Sequence, residues 1–273
     1  MKKHRSTIFL ILIFCIGLSL LLYPTVSDYW NSFHQSRAIA GYAESVANLN
    51  DEAYETLWSD AVDYNKNLAK QGIHMELTKR EEKKYNKMLA VDDTGIMGYI
   101  EIPKINCTLP IYHGTNEGVL QIAIGHIAGT SLPVGGKSTH CVLSGHRGLP
   151  SARLFTDIDQ LQTGDEFMIR TLDETLTYEV DRILVVLPTD VSALQIEKGK
   201  DLCTLVTCTP YGVNTHRLLV RGHRIETNNK LRVTADATQI DPIVVAPIIA
   251  VPILVILLLH ILVSTRKKRG NGE

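Results

Sequence analysis

Two apolar runs near the ends of the 273-residue chain dominate its hydrophobic pattern. Residues 8–23 are almost wholly apolar and follow a basic N-terminus, whereas residues 243–263 form a second apolar run followed by a basic cluster at 266–269. About twenty apolar residues suffice to cross a bilayer as a helix. We therefore predict a transmembrane helix at each end, one within residues 1–26 and one over residues 243–264.

The charges that flank these runs predict the topology. Lys and Arg concentrate on the cytoplasmic side of membrane helices, so basic clusters at both outer ends place both termini in the cytoplasm and the middle of the chain outside the cell. A cleaved signal peptide is the alternative for the first run, but no small-x-small pattern directly follows it, and we expect an uncleaved anchor. The terminal clusters hold seven of the 28 basic residues and one of the 29 acidic residues, so the middle is about seven charges negative. This charge does not fit a nucleic-acid binder.

The periodicity of the exported middle changes at Gly95. Before it, apolar residues at helical spacing and a capping-box pattern at Thr78 and Glu81 predict a helical section over residues 27–94. After it, short strand-like runs punctuated by Gly and Pro predict a mainly β domain over residues 95–228, a barrel or a sandwich, with a linker at 229–242 and a basic tail at 265–273. The predicted strands are 96–102, 108–112, 141–143, 166–171, 176–187, 202–208 and 217–225.

Four of the five cysteines lie in the exported part, because Cys15 falls in the first apolar run. Cys203 and Cys208 share one predicted strand, and five residues separate them by about 16 Å on opposite faces. A disulfide requires Cα atoms within about 7 Å, which excludes that pair. We expect a domain without disulfides, and pairings with Cys107 or Cys141 stay open.

Cys208, His146 and Arg217 are the candidate chemical groups. Cys208 ends a predicted strand, a turn sequence follows it, and Arg217 begins the next strand, so a hairpin-like connection would place thiol and guanidinium side by side. The alternation of Leu218 and Val220 into the core turns Arg217 outward. A nearby cation favours a thiolate and can donate hydrogen bonds to an oxyanion, while an imidazole can carry a proton. These parts suffice for acyl transfer through a thioester.

The segments around these residues resemble sortases. The run Thr204–Cys208 matches the TLxTC signature of that family. Five further segments resemble the pilus-assembling class C sortases, of which a second, C-terminal membrane segment is also typical: 125–133, 139–140, 143–150, 154–157 and 208–217. The resemblance implies a closed eight-stranded sortase β-barrel with short helices, carrying the N-terminal helical section and a transmembrane helix at each end.

The resemblance also implies roles for individual residues. Cys208 would attack the Thr–Gly bond of an LPxTG-like sorting signal and form a thioacyl intermediate, His146 would protonate the departing amine and later deprotonate the incoming one, and Arg217 would hold the carbonyl or oxyanion. Thr207 and His126 are the candidate substrate-binding residues, and for His126, which matches a recurrent class C position, a structural role is the alternative. The acceptor would be a pilin lysine, which makes pilin subunits the expected partners, with no cofactor. We expect no metal, because no close-spaced ligand pair of the usual zinc-binding kind occurs.

Two alternatives remain at the level of the sequence. One is a sortase that anchors surface proteins to cell-wall precursor, and the other is a non-catalytic scaffold that binds pilins while Cys208 stays inert. Class C sortases also carry an Asp-Pro-aromatic lid ahead of the barrel, yet no Pro stands between Pro24 and Pro103. We therefore predict that the usual lid is absent and the groove comparatively open. Deleting the chain ahead of Gly95 should then leave the reaction of Cys208 with a thiol probe unchanged.

Overall fold

The first helix, α1, is much longer than the predicted anchor. A computed structural model describes residues 2–227, and the predicted linker, second span and basic tail at 229–273 lie outside those residues. Helix α1 covers Lys2–Ala47 and continues well past residue 26. Its stretch Ile11–Ala47 is long and apolar enough to cross a membrane, with a mean hydropathy of 1.8 over its most apolar part.

Within residues 2–227, three further α-helices begin at side-chain caps. Helix α2, Asp51–Gln71, begins where the Asn50 side chain accepts a hydrogen bond from the Ala53 amide. Helix α3, Lys79–Tyr85, carries the predicted capping box, in which Thr78 and Glu81 each satisfy the other's backbone amide. Helix α4 is a single turn at Glu117–Leu120.

Eight strands close into a barrel, which confirms the predicted mainly β, closed eight-stranded fold. Neighbours run in the order β1-β2-β3-β4-β7-β8-β6-β5, and the pairs β2–β3 and β4–β7 are parallel. The strands are β1 Ile96–Ile102, β2 Cys107–His113, β3 Ile124–His126, β4 Thr139–Ser144, β5 Glu166–Thr171, β6 Glu174–Val186, β7 Asp201–Thr209 and β8 His216–Ile225.

Side chains alternate between the barrel interior and its outer face. Cys203, Leu205 and Val220 point into the main core, as period-2 alternation requires. On the outside, a second small group of buried apolar side chains, called here the outer cluster, consists of Val142, Leu194, Val206 and Leu219. Two of its members, Val206 and Leu219, are direct cross-strand partners on β7 and β8.

The helical section packs into the barrel core. Ala61, Tyr85 and Leu89 belong to the same buried cluster as the barrel interior. The buried Asn65 side chain donates to the Leu132 carbonyl at 3.0 Å and accepts from the Leu132 amide at 2.7 Å. The change at residue 95 therefore marks a change of secondary structure within one compact unit. Deleting the chain ahead of Gly95 would open the core, so that deletion cannot test a lid.

Candidate active site

Three adjacent strands bring Cys208, Arg217 and His146 to one end of the barrel. Cys208 on β7 pairs directly with Arg217 on β8, so the two side chains share the outer face. Directly opposed residues of an antiparallel pair have Cβ atoms about 5 Å apart. The turn at 210–215 thus produces the predicted adjacency of thiol and guanidinium. Cys208 and Arg217 both remain partly exposed.

Hydrogen bonds between β4 and β7 place His146 beside this pair. Ser144 lies opposite Val206 in the parallel register, and the Gly145 amide continues the ladder by donating to the Val206 carbonyl at 3.0 Å. His146 directly follows Gly145, just past the end of β4, and Cys208 lies two residues beyond Val206 on the neighbouring strand β7. Adjacent strands lie about 4.8 Å apart, so the three candidate groups occupy three neighbouring positions. We call this end of the barrel, where β4, β6 and β7 finish and β8 begins, the catalytic end.

Thr207 fixes the segment that carries His146. Its hydroxyl donates to the Gly145 carbonyl at 2.8 Å, and its side chain is buried on the inner face of β7. The Phe155 amide holds the next carbonyl, that of His146, at 3.1 Å. The predicted contact between Thr207 and substrate is therefore corrected, because the side chain points away from Cys208. The alternation of side chains along a strand already predicts this, because Thr207 and Cys208 are adjacent and must face opposite sides.

The predicted substrate contact of His126 is corrected as well. The side chain is fully buried, and its Nε2 lies 2.8 Å from the Ser131 carbonyl, to which it donates. Its Nδ1 then accepts from the Tyr85 hydroxyl at 2.9 Å. With both ring nitrogens engaged inside the protein, His126 has the role of a structural residue that joins α3 to β3.

The thiols of Cys107, Cys141 and Cys203 differ from that of Cys208. Cys141 and Cys203 are register partners on β4 and β7, are buried in the interior and carry free thiols. Burial raises the pKa of the Cys203 thiol, and it raises the pKa of the Cys107 thiol to about 12. Of these four, Cys208 combines partial exposure with a cation as its cross-strand neighbour.

Arg217 retains donors for a ligand. Its Nη1 lies 3.2 Å from the His216 carbonyl and 3.3 Å from the Asn214 carbonyl, which orients the guanidinium along the turn. A guanidinium has five N–H donors, so the others are available to an oxygen atom above Cys208. Within the described residues, no group of three or more His, Cys, Asp or Glu side chains could hold a metal ion.

The connection between α2 and α3 covers part of the outer cluster. The backbone around His74 approaches Gly129 so closely that a Cβ on Gly129 would lie 1.9 Å from the His74 carbonyl oxygen. The next residue, Met75, packs against the outer cluster, whose Val206–Leu219 pair lies two register positions from the Cys208–Arg217 pair. Met75 thus covers part of the outer cluster in a sequence that lacks the Asp-Pro-aromatic lid, whereas Cys208 stays partly exposed and the open groove stays a prediction. The hydrophobic pattern offered no signal for that contact.

Comparison with known proteins agrees with this geometry. The sortase domain family matches residues 100–225. Sortase D of Bacillus subtilis is 31% identical over 144 residues, which covers 51% of this chain and 70% of that protein. The crystal structure of sortase C1 from Streptococcus agalactiae is 56% identical, with a TM-score of 0.69 over 70% of this chain and 100% of that one.

A second solved structure, sortase C from Streptococcus pneumoniae, is 41% identical, with a TM-score of 0.63 over 70% of this chain and 97% of that one. The published description of that structure concerns its catalysis and its pilin substrate specificity. The barrel topology, the sequence signatures and these likenesses lead to one conclusion: the chain belongs to the sortase family of cysteine transpeptidases and is a class C sortase.

Proposed function

We propose that this enzyme cleaves an LPxTG-like sorting signal between Thr and Gly and transfers the threonyl carbonyl to a lysine amine of a pilin subunit, so that repeated cycles polymerise pili. The observation that carries the proposal is that the cross-strand pair Cys208–Arg217 on β7 and β8 lies at the barrel end where β4 finishes, two residues before His146. The pilin substrates named for the Streptococcus pneumoniae relative support the choice of acceptor.

The acylation step follows from the three positions. The Cys208 thiol gives its proton to His146 as its sulfur attacks the threonyl carbonyl carbon, and the carbonyl oxygen gains negative charge beside the Arg217 guanidinium, whose N–H groups stabilise it. When the C–N bond breaks, His146 gives a proton to the departing glycine amine. The products are a thioester on Cys208 and a released C-terminal peptide.

Transfer reverses the use of the same groups. The lysine amine attacks the thioester carbonyl while His146 takes a proton from that amine. The C–S bond then breaks, His146 returns that proton to the departing Cys208 sulfur, and the thiol is restored as an isopeptide bond joins the two pilins. The outer cluster beside Cys208 would offer an apolar floor for the Leu-Pro part of the sorting signal, an extended and uncharged segment, once the Met75 side chain that packs against it moves aside.

The experiment that tests this function compares the native full-length enzyme with Cys208→Ala on a sorting-signal peptide and on purified pilin. The account expects both cleavage and polymer formation to disappear in the variant, whereas Cys203→Ala, which changes a buried thiol, should retain both. Polymer formation that survives Cys208→Ala would mean that the chain acts as a scaffold. Transfer to a cell-wall precursor amine but not to pilin lysine would instead identify an anchoring sortase.

A further inference from the structure

Helix α1 runs along the side of the barrel and leaves it at the catalytic end. The Tyr42 hydroxyl donates to the Met97 carbonyl at 3.1 Å and accepts from the Leu172 amide at 2.8 Å. Leu172 lies in the β5–β6 turn, and β6 runs from that turn to Val186, the register partner of Arg217. Tyr42 therefore marks the barrel end that lies away from Cys208.

Fourteen residues earlier in the helix, α1 contacts the segment that follows His146. The Asp28 carboxylate accepts from the Arg153 amide at 2.8 Å, and Asn31 Nδ2 donates to the Ser151 carbonyl at 2.7 Å. Gln35 Nε2 donates to the Ile122 carbonyl just before β3. Fourteen helical residues span about 21 Å, so α1 traverses the barrel wall toward the catalytic end.

The apolar part of α1 begins directly beyond these contacts. The apolar run ends at Tyr23, and five helical residues separate it from Asp28, a distance of about 8 Å. Tyr29 and Trp30, which directly follow Asp28, are exposed. Tyr and Trp side chains concentrate where membrane helices pass from hydrocarbon to water. If α1 crosses the membrane, the segment after His146 lies close to the membrane surface.

The exposed apolar side chains of the barrel gather at the same end. Among the described residues outside α1, the large hydrophobic side chains that are exposed lie beside β3, on the last part of β6 and the loop after it, or in the β7–β8 turn: Ile122, Ile183, Val185, Leu187, Val191, Tyr211 and Val213. Tyr211 and Val213 are 60% and 65% exposed. Apolar surface of this kind marks contact with a protein or a membrane.

We propose that the catalytic end of the barrel faces the lipid surface, with the β7–β8 turn and the end of β6 in contact with the headgroup region. We choose lipid as the partner because the membrane-spanning part of α1 begins directly beyond its contacts with this end of the barrel. The proposal rests on α1 as a membrane anchor and does not depend on which sorting signal is cleaved. Its consequence is that Cys208 acts on substrates whose scissile bond is held near the membrane, ahead of substrates in free solution.

Fluorescence quenching in vesicles tests the orientation. The full chain, carrying Trp30→Phe and Trp58→Phe, is reconstituted in phosphatidylcholine–phosphatidylglycerol vesicles with brominated acyl chains, and one tryptophan is introduced by Val213→Trp or Leu187→Trp. Glu174→Trp at the start of β6 is the matched control, because the twelve positions from there to Val186, at the usual barrel tilt, place it roughly 30 Å from the catalytic end. The expected result is loss of most of the emission at positions 213 and 187 and none at 174.

Absence of quenching at both 213 and 187, or equal quenching at 174, overturns the proposal. Emission at 213 that shifts only when purified pilin is added also overturns it, because the apolar end would then be a protein-docking surface. A second arm uses Leu187→Glu in the same vesicles. Turnover of an acylated, vesicle-bound sorting peptide should fall, while turnover of the same peptide without its acyl chain stays native. An equal fall for both peptides would mean that Leu187 acts on folding or on chemistry and contradicts the membrane role.

Discussion

The hydroxyl of Thr207 controls the position of His146 from inside the barrel, and Thr207→Val tests this directly. Valine keeps the shape of threonine but lacks the donor that the Gly145 carbonyl uses at 2.8 Å. Leaving a buried carbonyl without its partner costs about 1–3 kcal/mol. For a domain of this size, that corresponds to a melting temperature lower by roughly 5 °C.

The effect on catalysis should exceed the effect on stability. His146 directly follows Gly145, so a relaxed carbonyl displaces the imidazole relative to Cys208. A misplacement of about 1 Å can lower a rate roughly 100-fold, and we expect kcat for a fluorogenic sorting-signal peptide to fall between about 10- and 100-fold. KM should change little, because Thr207 faces away from the groove.

Thr207→Ser is the matched control. Serine keeps the donor and loses a buried methyl group, which costs about 1 kcal/mol of stability. The account expects Thr207→Ser to unfold earlier but to keep native kcat, whereas Thr207→Val loses activity. Native kcat in the valine variant, or an equal loss in the serine variant, would refute the claim that this hydroxyl positions His146.

Three further predictions concern the contacts around the barrel. Asn65→Leu removes both hydrogen bonds to Leu132 and should lower the free energy of unfolding, measured by urea titration, by about 2–5 kcal/mol. The control Asp63→Ala, on the exposed side of α2, should change it by less than about 0.5 kcal/mol. Similar values for the two variants would contradict the role of Asn65. Met75→Ala uncovers the outer cluster and should lower KM for the sorting-signal peptide with kcat retained, whereas Glu76→Ala on the same segment should not; a raised KM would make Met75 a wall of the groove. Burial lowers the pKa of His140, whose Nδ1 donates to the Gln195 carbonyl at 2.9 Å and whose Nε2 lies 2.7 Å from the Thr204 hydroxyl. Below about pH 6.5 the unfolded chain therefore binds a proton at this residue more readily than the folded protein does. The free energy of unfolding should fall as the pH is lowered from about 7.5 to about 5. His140→Gln should reduce that slope by up to about 1.4 kcal/mol per pH unit, and an unchanged slope would assign the pH dependence to other groups.

The strands and the Cys208–Arg217 pair were predictable because both follow from local patterns. Alternation and turn residues predicted seven of the eight strands within a few residues of their ends. The eighth, Ile124–His126, has three residues and is too short to show a period. The turn at 210–215 sets the register of β7 and β8, and with it the adjacency of thiol and guanidinium.

Contacts between distant segments were not predictable from those patterns. His126 is a structural residue because Tyr85, forty-one positions earlier, supplies its partner. Met75 reaches the outer cluster only because α2 and α3 pack on the barrel. Arg221 shares the outer face with Arg217, yet its side chain is buried and forms ion pairs with Asp181 and Glu197. Each of these outcomes depends on which surfaces meet in the folded chain.

Mass spectrometry of the intact enzyme, incubated with a sorting-signal peptide and no amine acceptor, tests the central claim most directly. The account predicts an added mass equal to the peptide fragment up to its Thr, located on Cys208, removed by hydroxylamine and discharged by a pilin lysine peptide. Cys208→Ala should show no adduct and no cleavage. An adduct on another cysteine, or cleavage that persists in Cys208→Ala, would contradict it.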